Sequence, residues 1–330
     1  MKFLFLFIAS AFALDNFETL AYEQKIVVAT KQIAFEEFPG AFNPSVLKVD
    51  QGILMCFRHC PDPYSAPWTS YIGIVLLNDA FEPISPPQLV STRSKSSKIQ
   101  SQSEDARLFA YRGRTFLIYN DNMEVNCTSL HDRRDMYIAE VFFHNGQFTI
   151  SAPLRLLHQG KGHLTCQKNW TPFEWNKKLL ISYTVNPHEI LYVNLQTGDC
   201  YSCYETDRDL NWEFGTLRDS SPPQLVGEEY LTFFHSKIVT ESCSSYGWSL
   251  WHYFVGAYTF SPNPPFAVTS ATTDPIVAED FYTQSPYQKR VIFPGGFVVA
   301  EPYIYLAYGK DDHEIWIATL DKAELKKALK

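Results

Sequence analysis

The run SQSEDARLFAYRGRTFLIYND, Ser101 to Asp121, holds the side chains best suited to chemistry. Glu104 and Asp105 are adjacent carboxylates, Arg107 follows two residues on, and an alternating apolar run through Phe116 and Ile118 comes next. Such a pattern sets Asp105 where a strand begins, so its carboxyl would be held rigidly at the mouth of a pocket, as an acid catalyst must be. The plainer alternative is a turn carboxylate paired with Arg107, because most such pairs are structural. The elements around the run decide between these readings.

Segments of one design recur along the chain. Asn43-Pro44 leads into SVLKVDQGILMCFR, Asp105-Ala106 into RLFAYRGRTFLIYND, Thr171-Pro172 into FEWNKKLLISYTV, Pro222-Pro223 into QLVGEEYLTFFHS, and Phe293-Pro294 into GGFVVAEPYIYLAYG. Each is a short strand, a polar or glycine turn, and a second apolar strand. The heads at Pro44, Ala106, Pro172, Pro223 and Pro294 fall roughly sixty residues apart, and further alternating runs lie between them at 71–77, 136–143, 189–195 and 314–320. About four strands per interval, five times over, predicts an all-β fold, a five-bladed β-propeller. A β-sandwich is the rival, but it does not require the same proline-headed hairpin to recur. Asp321 with Glu324 three residues on, ahead of LKKALK, predicts a short capped C-terminal helix that covers a sheet edge.

The first thirteen residues, MKFLFLFIASAFA, have the lysine, apolar core and small-x-small ending of a secretory signal peptide. The stretch is short for a bilayer span, an uncleaved anchor being the alternative. Residues 14–330 are then one propeller domain, secreted or periplasmic, with no stable membrane insertion after cleavage. The formal net charge of −8 and the lack of a basic stripe argue against a nucleic-acid partner. Seven cysteines leave at least one unpaired. Cys56/Cys60 and Cys200/Cys203 are the natural candidate bridges in an oxidising compartment. Zinc is a poor fit to their spacing, the histidines are scattered, and neither a metal nor an organic cofactor is expected. Asn126 and Asn169 begin N-glycosylation sequons, the second overlapping the candidate site.

If the five hairpins are equivalent, their first strands are innermost and their heads meet at one mouth of the channel. The convergent set is Asn43, Asp105 with Arg107, Lys168 with Asn169, and Ser220-Ser221, joined by the ends of the following strands: Arg58, Asn120, Tyr183, His235 and Asp311-Asp312. Carboxylates, amides and aromatic rings converging on a concavity suit a sugar. Taken singly, each residue could instead satisfy backbone groups at a strand end.

These motifs in this order, namely Asn43-Pro44, Arg58, EDARLF, KNWTPF, SSPPQLV before His235, and FPGG followed by YGKDD, resemble glycoside hydrolase family 130 from Asn43 to Asp312. The resemblance implies a five-bladed propeller that phosphorolyses or hydrolyses β-mannosides, or a related mannosyltransferase, with an oligosaccharide or glycoconjugate as partner and inorganic phosphate as a possible co-substrate. By the same resemblance, Asp105 matches the proton donor, and Asn43, Arg58 and Asp312 match residues that hold the sugar. Glu104, Arg107 and Asn169 join the substrate-binding set, while Lys168, Tyr183 and His235 fall near positions that bind phosphate or acceptor. The family usually has proline where this chain has Ala106, and a drifted loop there would suit a non-catalytic glycan-binding propeller.

Inverting cleavage needs an acid for the leaving oxygen and a nucleophile on the opposite ring face. The acid's pKa should be raised so that it keeps its proton near neutrality. Hydrolysis would add a carboxylate base, for which Glu104, Glu174 and Asp219 are candidates; phosphorolysis would add cations, for which Lys168, His235 and the pair Arg133-Arg134 are candidates. The DRRD run reads as a solvated, self-paired cluster. A secreted enzyme meets little sugar phosphate, which favours hydrolysis or transfer.

Overall fold

A computed structural model describes residues 23–62, 69–93, 100–122, 134–161 and 166–330. The expected signal peptide, the sequon at Asn126 and Arg133 lie outside the described residues.

Chain order builds five antiparallel meanders. After β1 (Val27–Ile33), the first is β2 (Phe42–Val49), β3 (Gly52–His59), β4 (Tyr71–Leu77) and β5 (Gln88–Val90). The second is β6 (Glu104–Tyr111), β7 (Arg114–Asp121) and β8 (Asp135–His144), with β9 (Gln147–Ile150) and β10 (Leu154–His158) both on β8. The third is β11 (Thr171–Trp175), β12 (Lys178–Thr184), β13 (His188–Val193) and β14 (Asp199–Thr206). In the fourth, β15 (Arg218–Asp219) and β16 (Gln224–Val226) share the inner edge of β17 (Glu229–Thr240), which pairs with β18 (Leu250–Phe260); β19 (Val268–Ala271) and β20 (Lys289–Arg290) follow on β18. The fifth is β21 (Ile292–Ala300), β22 (Tyr303–Lys310) and β23 (Glu314–Asp321), closed by β1 as its outermost strand. The chain's first described strand thus seals its last sheet.

Five apolar cores lie between successive sheets and close the ring. Phe57 and Val75 pack on Ala307 and Ile317 between the fifth and first blades; Cys56 and Ile74 meet Leu108 and Leu117 between the first and second. Ile118 and Ile138 meet Trp170 and Ile181, then Phe173 and Ile190 meet Phe234 and Tyr258, and finally Phe233 and Val255 meet Phe297 and Leu306. Adjacent residues of one strand, such as Phe233 and Phe234, therefore serve opposite cores. This is why the middle strands read as unbroken apolar runs: both faces are buried. Each such phenylalanine contributes about 2–3 kcal/mol by leaving water.

The inner strands approach one another closely. A side chain on Gly295 would collide with the Pro44 carbonyl, and one on Gly296 with Ser45, so the FPGG motif brings β21 against β2. Ser45 Oγ in turn accepts from Leu108 N at 3.0 Å and ties β2 to β6.

The C-terminal helix forms as α1 (Lys322–Ala328), with Asp321 accepting from Ala323 N and Glu324 N. Glu324 does not complete a capping box, because its carboxylate takes Lys327 at 2.8 Å. Leu325 anchors the helix in the core between the fourth and fifth blades. The two expected disulfides do not form. Cys56 and Cys60 are four residues apart along an extended run, about 13 Å, beyond the reach of an S–S bond. On β14, Cys200 is buried and Cys203, at a register shift against β13, is exposed, and all four thiols are free.

Candidate active site

The strand heads meet at one mouth of the channel, and a shared backbone device aims them. Asn43 and Asp105 have φ of 47° and 52°, each at a register shift between the first and second strands of its blade. Asn169, with φ of 64°, stands in the same role ahead of β11, so the third head lies at Asn169-Trp170, two residues before the expected Pro172. Asp311 and Asp312 are left-handed too, at 53° and 55°. Among non-glycine residues Asn and Asp tolerate this conformation best, and a bulge turns the side chain out of the strand's alternation. Ala106 in the place of a proline leaves the geometry at Asp105 like that at Asn43-Pro44.

Asp105 is the hub. Asn43 Nδ2 donates to its Oδ1 at 2.9 Å and reaches Asp312 Oδ1 at 3.4 Å, and Arg58 Nη1 approaches the same Asp105 oxygen at 3.4 Å. Burial would raise the Asp105 carboxyl, but Arg58, the Asn43 amide, Lys168 and Arg107 outweigh it and hold the group down at about 2. The expected raised pKa is therefore reversed: Asp105 is ionised at neutral pH. Glu104, almost wholly buried, accepts from Arg58 Nη2 at 2.9 Å, Arg134 Nη2 at 2.9 Å and Lys168 Nζ at 3.1 Å.

Arg134 overturns the expectation of a solvated cluster. It is 1% exposed and also donates to the Gln102 carbonyl at 2.9 Å and Asn120 Oδ1 at 3.2 Å. Arg107 is fully buried: it donates to the Ser220 carbonyl, to the Asp105 carbonyl at 3.0 Å and to Asn169 Oδ1 at 3.0 Å, with its guanidinium over Phe293. It binds four blades together beneath the mouth. Within the second sequon, Asn169 Oδ1 is engaged by Arg107 and Thr171 is buried. His235 is buried beside Ser220 Oγ at 2.5 Å, and burial, then the charges of Arg107 and Arg218, push it down to about 3, so it is neutral.

Two concavities flank Glu104. One, of about 410 Å³, is lined by Lys168, Asn169, Tyr183, Arg218 and Asp219. The other, of about 760 Å³, is lined by Arg58, Asp312, Lys289, Trp251 and Tyr287. Lys289 is ion-paired with Asp312. Partial burial, then Arg218, Lys289 and Lys168, hold the Lys237 ammonium below its ordinary value, so these four cations share one electrostatic neighbourhood. Of the candidate bases, Glu174 is remote, its carboxylate taken by Arg112 N. Asp219 is buried and accepts from Tyr258 OH at 2.6 Å and Ser182 Oγ at 2.7 Å; burial pushes it up to about 6 against those bonds and Arg107.

Reasoning from strand heads missed Arg218, Lys237, Lys289, Trp251 and Tyr287. Arg218 was within reach, since it precedes Asp219 and pairs with His235. Lys289 and Trp251 reach the mouth from the two-residue strand β20 and from the length of β18, for which no repeat signal exists.

No family model and no curated protein matches the sequence. Solved structures do. A structure reported for the GH130 family of mannoside phosphorylases, containing glycoside hydrolases that target β-1,2-mannosidic linkages in Candida mannan, aligns with TM-score 0.61 and 16% identity over 85% of this chain and 84% of that one. This is the fold of glycoside hydrolase family 130. A β-1,2-mannobiose phosphorylase from Listeria innocua, in complex with β-1,2-mannobiose, aligns with TM-score 0.58 and 14% identity over 92% and 94% of the two chains. A mannose phosphorylase from Leishmania mexicana, in complex with a phosphate ion, aligns with TM-score 0.62 and 11% identity over 97% and 96%. Family 130 thus shares this chain's architecture across nearly its whole described length.

Proposed function

We propose that the chain is a glycosyl-transferring enzyme acting on β-mannosides by reversible phosphorolysis with inversion. The observation that carries this reading is the charge of the mouth. Lys168 and Arg218 line its smaller concavity, Lys289 lines the larger, and Lys237 lies over the Trp251 ring at the larger one's rim, in a protein of net charge −8. Among the described residues its carboxylates are already engaged: Glu104 by three cations, Asp105 by Asn43 and Arg58, Asp312 by Lys289, and Asp219 by Tyr258 and Ser182. Hydrolysis would require one of them to activate water. An oxyanion needs cations: Lys168 and Lys289 already hold Glu104 and Asp312, and Arg218 and Lys237 add positive charge beyond those pairs. The similar structures of a β-1,2-mannobiose phosphorylase and of a mannose phosphorylase in complex with a phosphate ion lend support to phosphate as that anion.

In this reading Arg58, Asn43 and Asp312 hold the mannosyl ring, and Lys168, Arg218 and Lys237 face the phosphate. An ionised Asp105 suits the synthetic direction first. The acceptor hydroxyl gives its proton to Asp105 as its oxygen bonds to C1, and the C1–O bond to phosphate breaks on the opposite face. Phosphorolysis runs the same path backwards, with Asp105 returning the proton to the leaving oxygen. The test is incubation with β-1,2-mannobiose, with and without inorganic phosphate, and product analysis. Mannose 1-phosphate appearing only with phosphate supports the proposal. Free mannose alone would replace it with hydrolysis, and saturable binding without product would replace it with a glycan-binding role.

A further inference from the structure

The fourth blade differs from the others where it meets the mouth. In the first three blades the second strand ends within a residue of its mouth residue: β3 at His59 beside Arg58, β7 at Asp121 beside Asn120, and β12 at Thr184 beside Tyr183. In the fourth, β17 continues five residues past His235 to Thr240, fully paired with β18 from Phe254 back to Leu250. The extension is an arm that rises beside the opening. Its two faces differ in kind. Ile238 and Phe254 lie on the back, packed with Trp212, Phe214, Tyr282 and Val277, so the arm is anchored rather than loose. On the front, Lys237 and Val239 alternate with Trp251 and Tyr253 across the pair, with Lys237 Nζ 4.5 Å from the Trp251 ring centre and 5.5 Å from that of Tyr253.

A buried arginine fixes the arm relative to the site. Arg290, 1% exposed, donates to the Ser244 carbonyl in the turn at the arm's tip, and to Ser285 Oγ at 3.1 Å and the carbonyls of Tyr287 at 2.8 Å and Lys289 at 3.1 Å. Tip and loop are therefore held as one rim. Trp251 nevertheless leaves 45% of its surface, and Val239 52%, in solvent, although the back of the same arm buries its aromatics. Trp251 lines the 760 Å³ cavity that also holds Arg58 and Asp312.

Resting on the proposed function, we infer that Trp251 is the stacking platform for a sugar residue beyond the bond that reacts, so that the preferred partner is an oligosaccharide chain rather than a disaccharide. A flat, half-exposed indole on a rigid support gives a pyranose ring a large apolar contact at little entropic cost. The groups between Trp251 and Arg58, the Asp312 carboxylate and the Gln288 amide among them, can accept hydrogen bonds from sugar hydroxyls. The cavity is continuous with the residues that would hold the reacting ring, so a chain in it is placed to enter the mouth.

The test is calorimetry of the full chain with β-1,2-mannobiose and β-1,2-mannotetraose, for the wild type, Trp251→Ala and Trp251→Phe, with melting curves to establish folding. The wild type is expected to bind the tetrasaccharide at least about tenfold more tightly than the disaccharide, the worth of one good aromatic contact. In Trp251→Ala the two affinities converge, and Trp251→Phe restores most of the difference. A wild type that binds both sugars equally, or a Trp251→Ala protein that keeps the chain-length preference, overturns the inference while leaving the proposed function standing. A wild type that binds neither sugar overturns both.

Discussion

Asn43 and Asp105 occupy the same left-handed bulge in neighbouring blades, and the amide of the first donates to the carboxylate of the second at 2.9 Å. One thus positions the other through equivalent backbone. Asn at residue 105 would meet the conformational demand that Asn43 and Asn169 already meet, so Asp105→Asn should fold. Turnover of β-1,2-mannobiose with phosphate should fall by about 10²–10⁴, the usual worth of a proton-transfer group. Unchanged turnover in a folded Asp105→Asn protein would remove Asp105 from the chemistry. The same variant bears on acid stability. Because the folded carboxyl is held at about 2, below its ordinary 3.8, its contribution is complete above pH 4 and lost as pH falls toward 2. Asp105→Asn should flatten that part of the urea-stability profile.

Asp219 predicts the opposite slope. Burial raises its folded value to about 6, so folding favours the protonated form, and the benefit is complete below pH 4 and lost as pH rises through 6. Asp219→Asn, which can keep a bond from Tyr258, should be less sensitive than the wild type to pH between 4 and 7. The difference should reach at most about 3 kcal/mol, by the conversion of 1.36 kcal/mol per pH unit. Parallel stability profiles for the two proteins across that window would show that Asp219 stays ionised.

The architecture and the heart of the mouth were legible because they rest on local rules. Left-handed positions at strand heads call for Asn or Asp, and both-face burial calls for apolar runs. Both signals stand in the sequence at Asn43, Asp105 and Asp312. Arg134 was not legible, since nothing in DRRD distinguishes an arginine in water from one turned inward to Glu104, Gln102 and Asn120. The ionisation of Asp105 was misjudged for a related reason. Burial alone raises a carboxyl, and only the three-dimensional placement of Arg58 and the Asn43 amide reverses the sign. The arm escaped because its length is fixed by pairing across β17 and β18 and by Arg290, whose bond to Ser244 spans 46 residues.

Gly309 tests the positioning of Asn43. A methyl group there would overlap Asn43 Oδ1 and crowd its backbone, so the glycine of YGKDD makes the room that Asn43 fills. Gly309→Ala should cost about 1–3 kcal/mol from overpacking, and turnover should drop by about 10², as expected when a positioning group moves by an ångström. Melting temperature and kcat measured together check this. Wild-type kcat in a destabilised Gly309→Ala protein would mean that Asn43 tolerates displacement.

Arg134 and Lys168 share Glu104 yet should behave differently. Arg134 is buried, and Arg134→Met would leave the Gln102 carbonyl, Asn120 Oδ1 and part of Glu104 unserved. Breaking such a buried pair costs about 3–5 kcal/mol. Arg134→Lys keeps the charge but not the fork of donors, and should fall between. Lys168 is one-third exposed, so Lys168→Met should cost no more than about 1 kcal/mol. It should instead raise the phosphate concentration needed for half-maximal rate, because Lys168 faces the smaller concavity with Arg218. Urea denaturation and phosphate titration separate the two roles: a large stability loss in Lys168→Met with unchanged phosphate dependence would assign Lys168 to the fold and take it out of the anion site.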